Sequence, residues 1–262
     1  MVTRLGCAGV GIALAICVAP AGTAALEPAP IGFGGPTAQH LPIALIVSAD
    51  RSRIEELDYA VFSGCNFEGR ADYGQVRDIP VAADGAFTTN VEVPVRSTGG
   101  TGSLGLTGRV AADGVSGTLR FEIPGHCDSF AVTWKASRGF VGLTSQGAPA
   151  VMQLSADHSR VSRFMLAWVP RCAGGTGLDP PENMIGIAER DLAQLSRTGR
   201  FGVHHSSRGY IFDGRAEVSS ERVAGLIRGR NATGTYRAVG WTGNSGRGGR
   251  CGSKSVRFSL TG

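Results

Sequence analysis

The chain has 262 residues, 42% of them hydrophobic and 18% charged, with a formal net charge of +5 at pH 7. Its 40 glycines and 12 prolines suit a turn-rich all-β protein and argue against a helical bundle, because both residues disfavour helix. It contains no Walker motif, dinucleotide fingerprint or metalloprotease motif, which sets aside those nucleotide- and zinc-dependent classes.

Residues 1–25 have the layout of a secretory signal peptide. Arg4 precedes an apolar, small-residue stretch from Leu5 to Val18, and Pro20 to Ala25 supply small residues at the expected cleavage positions. The stretch is short for a membrane span, and no later segment approaches that length, so a secreted, extracytoplasmic protein without a membrane span is expected. Cys7 and Cys17 would leave with the signal. Residues 26–40, rich in Pro, Gly and Ala, read as a flexible lead-in.

From residue 41 onward the chain says nearly the same thing twice. Ser48-Ala49-Asp50-Arg51-Ser52-Arg53 returns as Ser155-Ala156-Asp157-His158-Ser159-Arg160, and Cys65 and Cys172 each follow the matched Asp by 15 positions. Cys127-Asp128-Ser129 returns as Cys251-Gly252-Ser253, with Trp134 and Phe258 closing the two segments. An internal repeat fixes the architecture before any other reading. It gives domain one at 41–138, a linker at 139–148 and domain two at 149–262.

Within domain one, Leu57, Tyr59 and Val61 alternate with Asp58, Ala60 and Phe62. The same alternation runs through Val91, Val93 and Val95, and through Phe130, Val132 and Trp134. Period two marks half-buried strands. Turn signals at Ala49-Asp50, Asp84-Gly85, Asp113-Gly114 and Pro124-Gly125 divide them as in an antiparallel sandwich or barrel. The expected fold is all-β: two tandem homologous antiparallel sandwich or barrel domains. In domain two, residues 187–195 are helix-compatible and form an expected exception.

One cysteine pair per repeat in an exported chain favours disulfides over metal. The duplication selects Cys65–Cys127 and Cys172–Cys251. No cofactor or metal is expected. The Ser-Ala-Asp-x-Ser-Arg repeat reads as a hairpin tip, where Asp and Ser side chains bond the turn backbone.

The whole repeat resembles tandem β-rich repeats of uncharacterised secreted or envelope proteins from high-GC bacteria. The resemblance rests on the Ser-x-Asp-x-x-Arg hairpin, the Cys after the second strand, and the Asp84-to-Phe87 turn with its degenerate copy Thr198-Gly199-Arg200-Phe201. It rests also on Gly117-Thr118-Leu119-Arg120, read as copied in Gly225-Leu226-Ile227-Arg228, and on the closing Cys-x-Ser. It implies location and fold, and carries no activity.

Charge separates the twins. Domain one has nine basic and twelve acidic residues, net −3, whereas domain two has sixteen and eight, net +8. With Arg120 aligned to Arg228, domain two holds 16 extra positions before its last cysteine. That segment, with Arg228, Arg230, Arg237, Arg247 and Arg250 beside Tyr236 and Trp241, is the candidate anion-binding element. The expected role is a secreted, non-enzymatic binding or interaction protein of the bacterial cell envelope. Its expected partner is an anionic cell-wall polymer or an acidic protein, not nucleic acid. Two alternatives stand beside it. Gly243-Asn244-Ser245-Gly246 resembles a serine-protease nucleophile loop, with His126 as a candidate base, and a disulfide-anchored loop could make a protein-inhibitor module. His204-His205 are poor metal ligands, since adjacent strand residues face opposite ways.

Overall fold

The computed structural model describes residues 28–65, 68–96, 99–125, 127–169, 171–173, 186–190, 194–205, 220–239, 241–242, 250–253 and 255–262. Residues 65, 68–70, 171–173, 186–190, 241–242 and 250–251 are described by backbone alone. Everything regular among the described residues is strand. Domain one consists of β1 (Ile31–Pro36), β2 (Pro42–Val47), β3 (Arg53–Cys65), β4 (Glu68–Pro80), β5 (Ala86–Val95), β6 (Gly100–Val110), β7 (Gly114–Ile123), β8 (Cys127–Asp128) and β9 (Val132–Arg138). Its sheet order is β4-β3-β2-β1-β9-β7-β6-β5, and β4 lies back alongside β5, so the sheet is barrel-like. Domain two repeats the plan with β10 (Phe140–Thr144), β11 (Pro149–Leu154), β12 (Val161–Trp168), β13 (Arg171–Ala173), β14 (Gly186–Arg190), β15 (Arg200–His205), β16 (Ser220–Arg228), β17 (Asn231–Val239), β18 (Trp241–Thr242), β19 (Arg250–Gly252) and β20 (Val256–Thr261). Here the order is β14-β12-β11-β10-β20-β17-β16-β15, with β13-β19-β18 as a small separate sheet.

Alternation sends one set of side chains inward. Phe33, Leu45, Leu57, Tyr59, Leu104 and Phe121 fill the first barrel, and Phe164, Leu166, Trp168, Tyr236, Phe258 and Leu260 the second. The repeated hairpin tip is a turn in both copies. Ser48 Oγ donates to Asp50 Oδ1 at 2.6 Å, and the Ser52 amide donates to the same oxygen at 3.0 Å. Ser155, Asp157 and Ser159 repeat the arrangement. These bonds, the Ser48 hydroxyl first, pull the Asp50 carboxyl down to about 2.

Four expectations change. Residues 31–36 are not a flexible lead-in but the buried strand β1, paired with β2 from Ile31↔Val47 to Pro36↔Pro42. Residues 140–144, read as linker, are its twin β10. The glycines there serve close packing rather than mobility: a Cβ on Gly34 would lie 2.5 Å from Val151 Cγ1 of domain two. Residues 186–190 form β14 against β12 rather than a helix, because tertiary pairing overrides a weak local propensity.

The fourth change is one of alignment. Phe201 lies over Gly225 as Phe87 lies over Gly108, and Phe258 over Gly234 as Trp134 over Gly117. Each ring occupies the space a side chain on the glycine would need. Gly225–Arg228 therefore sits on β16, the twin of β6, and the copy of Gly117-Thr118-Leu119-Arg120 is Gly234-Thr235-Tyr236-Arg237. Arg120 precedes Cys127 by 7 positions and Arg237 precedes Cys251 by 14. The extra length is 7 residues rather than 16.

The barrels pack through the same outer face of each. Ala44, Val141, Val151 and Met165 form one shared cluster, and Leu41, Ala60, Tyr73, Ala148 and Ala167 another. Gln153 Nε2 donates to the Gly34 carbonyl at 2.7 Å, and Tyr73 OH to the Gln146 carbonyl at 3.0 Å. Asp58 lies in this face, between its cross-strand partner Ala44 and its same-face neighbour Ala60. It is 2% exposed and accepts from Gln75 Nε2 at 2.8 Å. Burial first, and the nearby Glu56 second, outweigh Gln75 and Arg77 and push its carboxyl up to about 7.

Two outcomes follow. Cys65 lies directly opposite Cys127 in the register, and Cys172 opposite Cys251. Cross-strand Cα separations of about 4.5–5.5 Å fall within the reach of a disulfide. Non-reducing peptide mapping should therefore recover Cys65–Cys127 and Cys172–Cys251, and a cross-domain cysteine peptide would refute this pairing. For Asp58, the native carboxyl holds its proton more tightly than the unfolded one. The stabilisation is complete below the ordinary carboxyl value of 3.8 and is lost as pH rises through about 7. The loss is bounded by roughly 4 kcal/mol. Denaturant melts of Asp58→Asn should show stability flatter over that window and higher than the parent at pH 8.

Candidate anion-binding face

The outer surface of β15, β16, β17 and β20 faces away from the barrel core. Register sets its rows. His204 lies opposite Arg222, and Arg222 opposite Arg237. The next row is Gly202, Ala224, Thr235 and Arg257. His204, Arg222, Arg237 and Arg257 are all exposed, and their inward neighbours Val223, Tyr236, Val256 and Phe258 are buried. The imidazole and three guanidiniums therefore stand on one face, separated by small or hydroxyl side chains. Arg222, Arg237 and Arg257 take part in none of the ion pairs found between described residues.

The twin face in domain one shows what has changed. Its equivalent row is Asn90, Gly105 and Arg120, and the next is four threonines, Thr88, Thr107, Thr118 and Thr133. Arg120 is neutralised there. Its NH2 donates to Asp128 Oδ2 at 2.6 Å and its Nε to Oδ1 at 3.2 Å, with Glu122 at 3.7 Å. The Asp128 hydrogen bond and charge push the Arg120 guanidinium further up, and the same bond draws the Asp128 carboxyl down. In domain two Arg120 becomes Arg237, Asp128 becomes Gly252 and Glu122 becomes Val239. Gly105 becomes Arg222, Asn90 becomes His204 and Thr133 becomes Arg257. Both acids are gone and three basic groups have arrived.

Like charges directly across a strand pair destabilise it. An Arg222–Arg237 pair without a carboxylate is a cost that a bound anion would remove. Guanidinium forks suit carboxylate, phosphate and sulfate oxygens, each accepting charge-assisted hydrogen bonds.

The residues expected from sequence are divided. Arg237 is central to this face. Arg228 and Arg230 sit exposed at the β16–β17 turn, where Arg230 donates to the backbone carbonyls of Pro30 and Gly262. Tyr236 is fully buried, its ring 5.8 Å from that of Trp168, so it belongs to the core and offers a ligand no platform. Trp241 and Arg250 are placed by backbone alone, opposite Cys251 and Ala173. Arg247, Ser245 and His126 lie outside the described residues. Arg222, His204 and Arg257 were not singled out from the sequence, though the two-residue turn Gly229-Arg230 sets Arg222 against Arg237. Among the described residues no cluster of His, Cys, Asp or Glu could hold a metal ion, and no helix is long and apolar enough to cross a membrane.

No family model and no curated protein matches the chain. One solved structure, of a candidate outer membrane protein from Bacteroides fragilis NCTC 9343, aligns over 88% of this chain and 95% of its own at 13% identity. Its TM-score is 0.27, too small to define a shared fold.

With the Arg222–Arg237 opposition removed, Arg222→Thr should raise stability by about 0.2–1 kcal/mol at low salt. The gain should fade in 1 M salt, where charges are screened within about 3 Å. Paired thermal melts at the two ionic strengths check both parts.

Proposed function

We propose that this chain is an extracytoplasmic, non-catalytic binding protein whose second domain holds an anionic polymer on the β15–β16–β17–β20 face. The observation that carries the reading is the Arg222–Arg237 opposition, together with the loss of both carboxylates that neutralise Arg120 in the twin. The +8 charge of domain two against −3 in domain one draws a polyanion to the same domain over a longer range. Export is supported by the signal-like residues 1–25 and by cysteines that face each other in register. A cell-envelope location accords with the repeat resemblance and with an anionic cell-wall polymer as partner. The hydrolase alternative rests on Gly243–Gly246, outside the described residues, and no described group favours it.

The test is binding of heparin and of a teichoic-type phosphate polymer to the full chain. Combined Arg222→Ser, Arg237→Ser and Arg257→Ser should lower affinity at least tenfold and flatten its dependence on salt. Arg120→Ser, the matched change in domain one, should leave binding unchanged. Equal binding by the triple variant and the parent at low salt would falsify the assignment of this face.

A further inference from the structure

A second site lies at the end of the domain-two barrel, and its origin is the junction between the domains. In domain one, β1 begins with Ile31 opposite Val47. Ile31 packs against the core, and Val47 is fully buried. The twin of Val47 is Leu154, the last residue of β11. β10 begins at Phe140 opposite Met152, so no β10 residue covers Leu154. The residue that would do so by count is Arg138, which is exposed and still belongs to β9, paired with Phe33. A short junction thus leaves the second barrel without its plug. Three twin positions record the result: Phe33, Val47 and Val110 are buried, whereas Phe140, Leu154 and Ile227 are only half-buried.

These three side chains and Leu195 line an open cavity of about 610 Å³, with His158 and Arg197 at its mouth. Its size lies within the range of small-molecule sites, which pair apolar walls with a few placed polar groups. Among the described residues, the lining carries Arg197 and His158 and no carboxylate. The carboxylate of Asp157, beside His158, already accepts from the Ser155 and Ser159 hydroxyls at 2.5 and 2.7 Å.

We propose that this cavity binds a single-chain amphiphile with an anionic head, such as a fatty acid. The chain covers Phe140, Leu154, Leu195 and Ile227, and the carboxylate meets Arg197 at the rim. The apolar chain takes the place that Ile31 fills in domain one. This site is separate from the polymer face, so the two readings stand or fall independently.

The test uses the full chain and saturated fatty acids of 8, 10, 12 and 14 carbons, displacing a fluorescent fatty acid. Binding should saturate at one per chain, tighten about fourfold per added methylene and persist in saturating heparin. Ile227→Trp should fill the cavity and abolish displacement. Arg197→Ser should keep chain-length dependence but lose the preference for dodecanoate over dodecanol. Should Ile227→Trp fail to fold, a diazirine-bearing dodecanoate on the unaltered protein decides. Its label should fall on peptides holding Leu154, Leu195 or Ile227 and not on those of Val47 or Val110. Label shared evenly between the domains, or no saturable binding at any chain length, overturns the proposal.

Discussion

The rest of the structure depends on the burial of one shared outer face. The two barrel-like sheets associate through side chains that point away from their cores. Here the same positions serve in both copies: Ala44 with Val151, Leu41 with Ala148, and Ala60 with Ala167. The contact resembles an isologous dimer interface joined into one chain. On β1, Gly34 lies against Val151 where no side chain would fit. The contact also determines what remains free. With β1–β3 and β10–β12 facing each other, the outer surfaces of β5–β6–β7–β9 and β15–β16–β17–β20 are left to meet other molecules.

Those two free faces are where the twins part. Domain one pairs its charges there: Arg120 with Asp128, and Arg109 with Asp84. Exposed pairs of this kind add little stability, but they leave the face electrically quiet. Domain two drops the acids and sets basic groups in register. A surface under selection for stability alone would not oppose two arginines across adjacent strands. A bound anion would offset the cost of that opposition.

Much of this was legible in the sequence. The two copies, the strands, the Ser-x-Asp hairpin tips and the cysteine positions follow from period-two alternation and from repeated turn residues, both local signals. Residues 31–36 were misread because Gly and Pro mark flexibility and close packing alike, and only the partner surface separates the two. The binding face was half legible. Its net charge and Arg237 were visible, but Arg222 and His204 become neighbours of Arg237 only through pairing. That register hung on Gly225, which resembles Gly117 in sequence and Gly108 in place. The short motif Gly-x-x-Arg recurs on two consecutive strands, and the ring lying over each glycine tells them apart.

The cores show that outward divergence is not drift of the whole domain. Domain one packs Tyr59 against Phe121, ring centroids 6.4 Å apart, with Val61 and Leu119 beside them. In domain two the twins of Tyr59 and Phe121 are Leu166 and Ala238, and those of Val61 and Leu119 are Trp168 and Tyr236, whose rings lie 5.8 Å apart. The aromatic pair has moved two positions along the same two strands, and smaller residues have taken its former place. Cores tolerate such exchange when total volume and pattern are kept. Four coordinated substitutions inside thus leave the barrel as it was. On the outer face, His204, Arg222 and Arg257 stand where domain one has Asn90, Gly105 and Thr133, and Val239 and Gly252 stand where it has Glu122 and Asp128. The interior compensates and the exterior does not, so the twins keep one core and differ in the charge of that face.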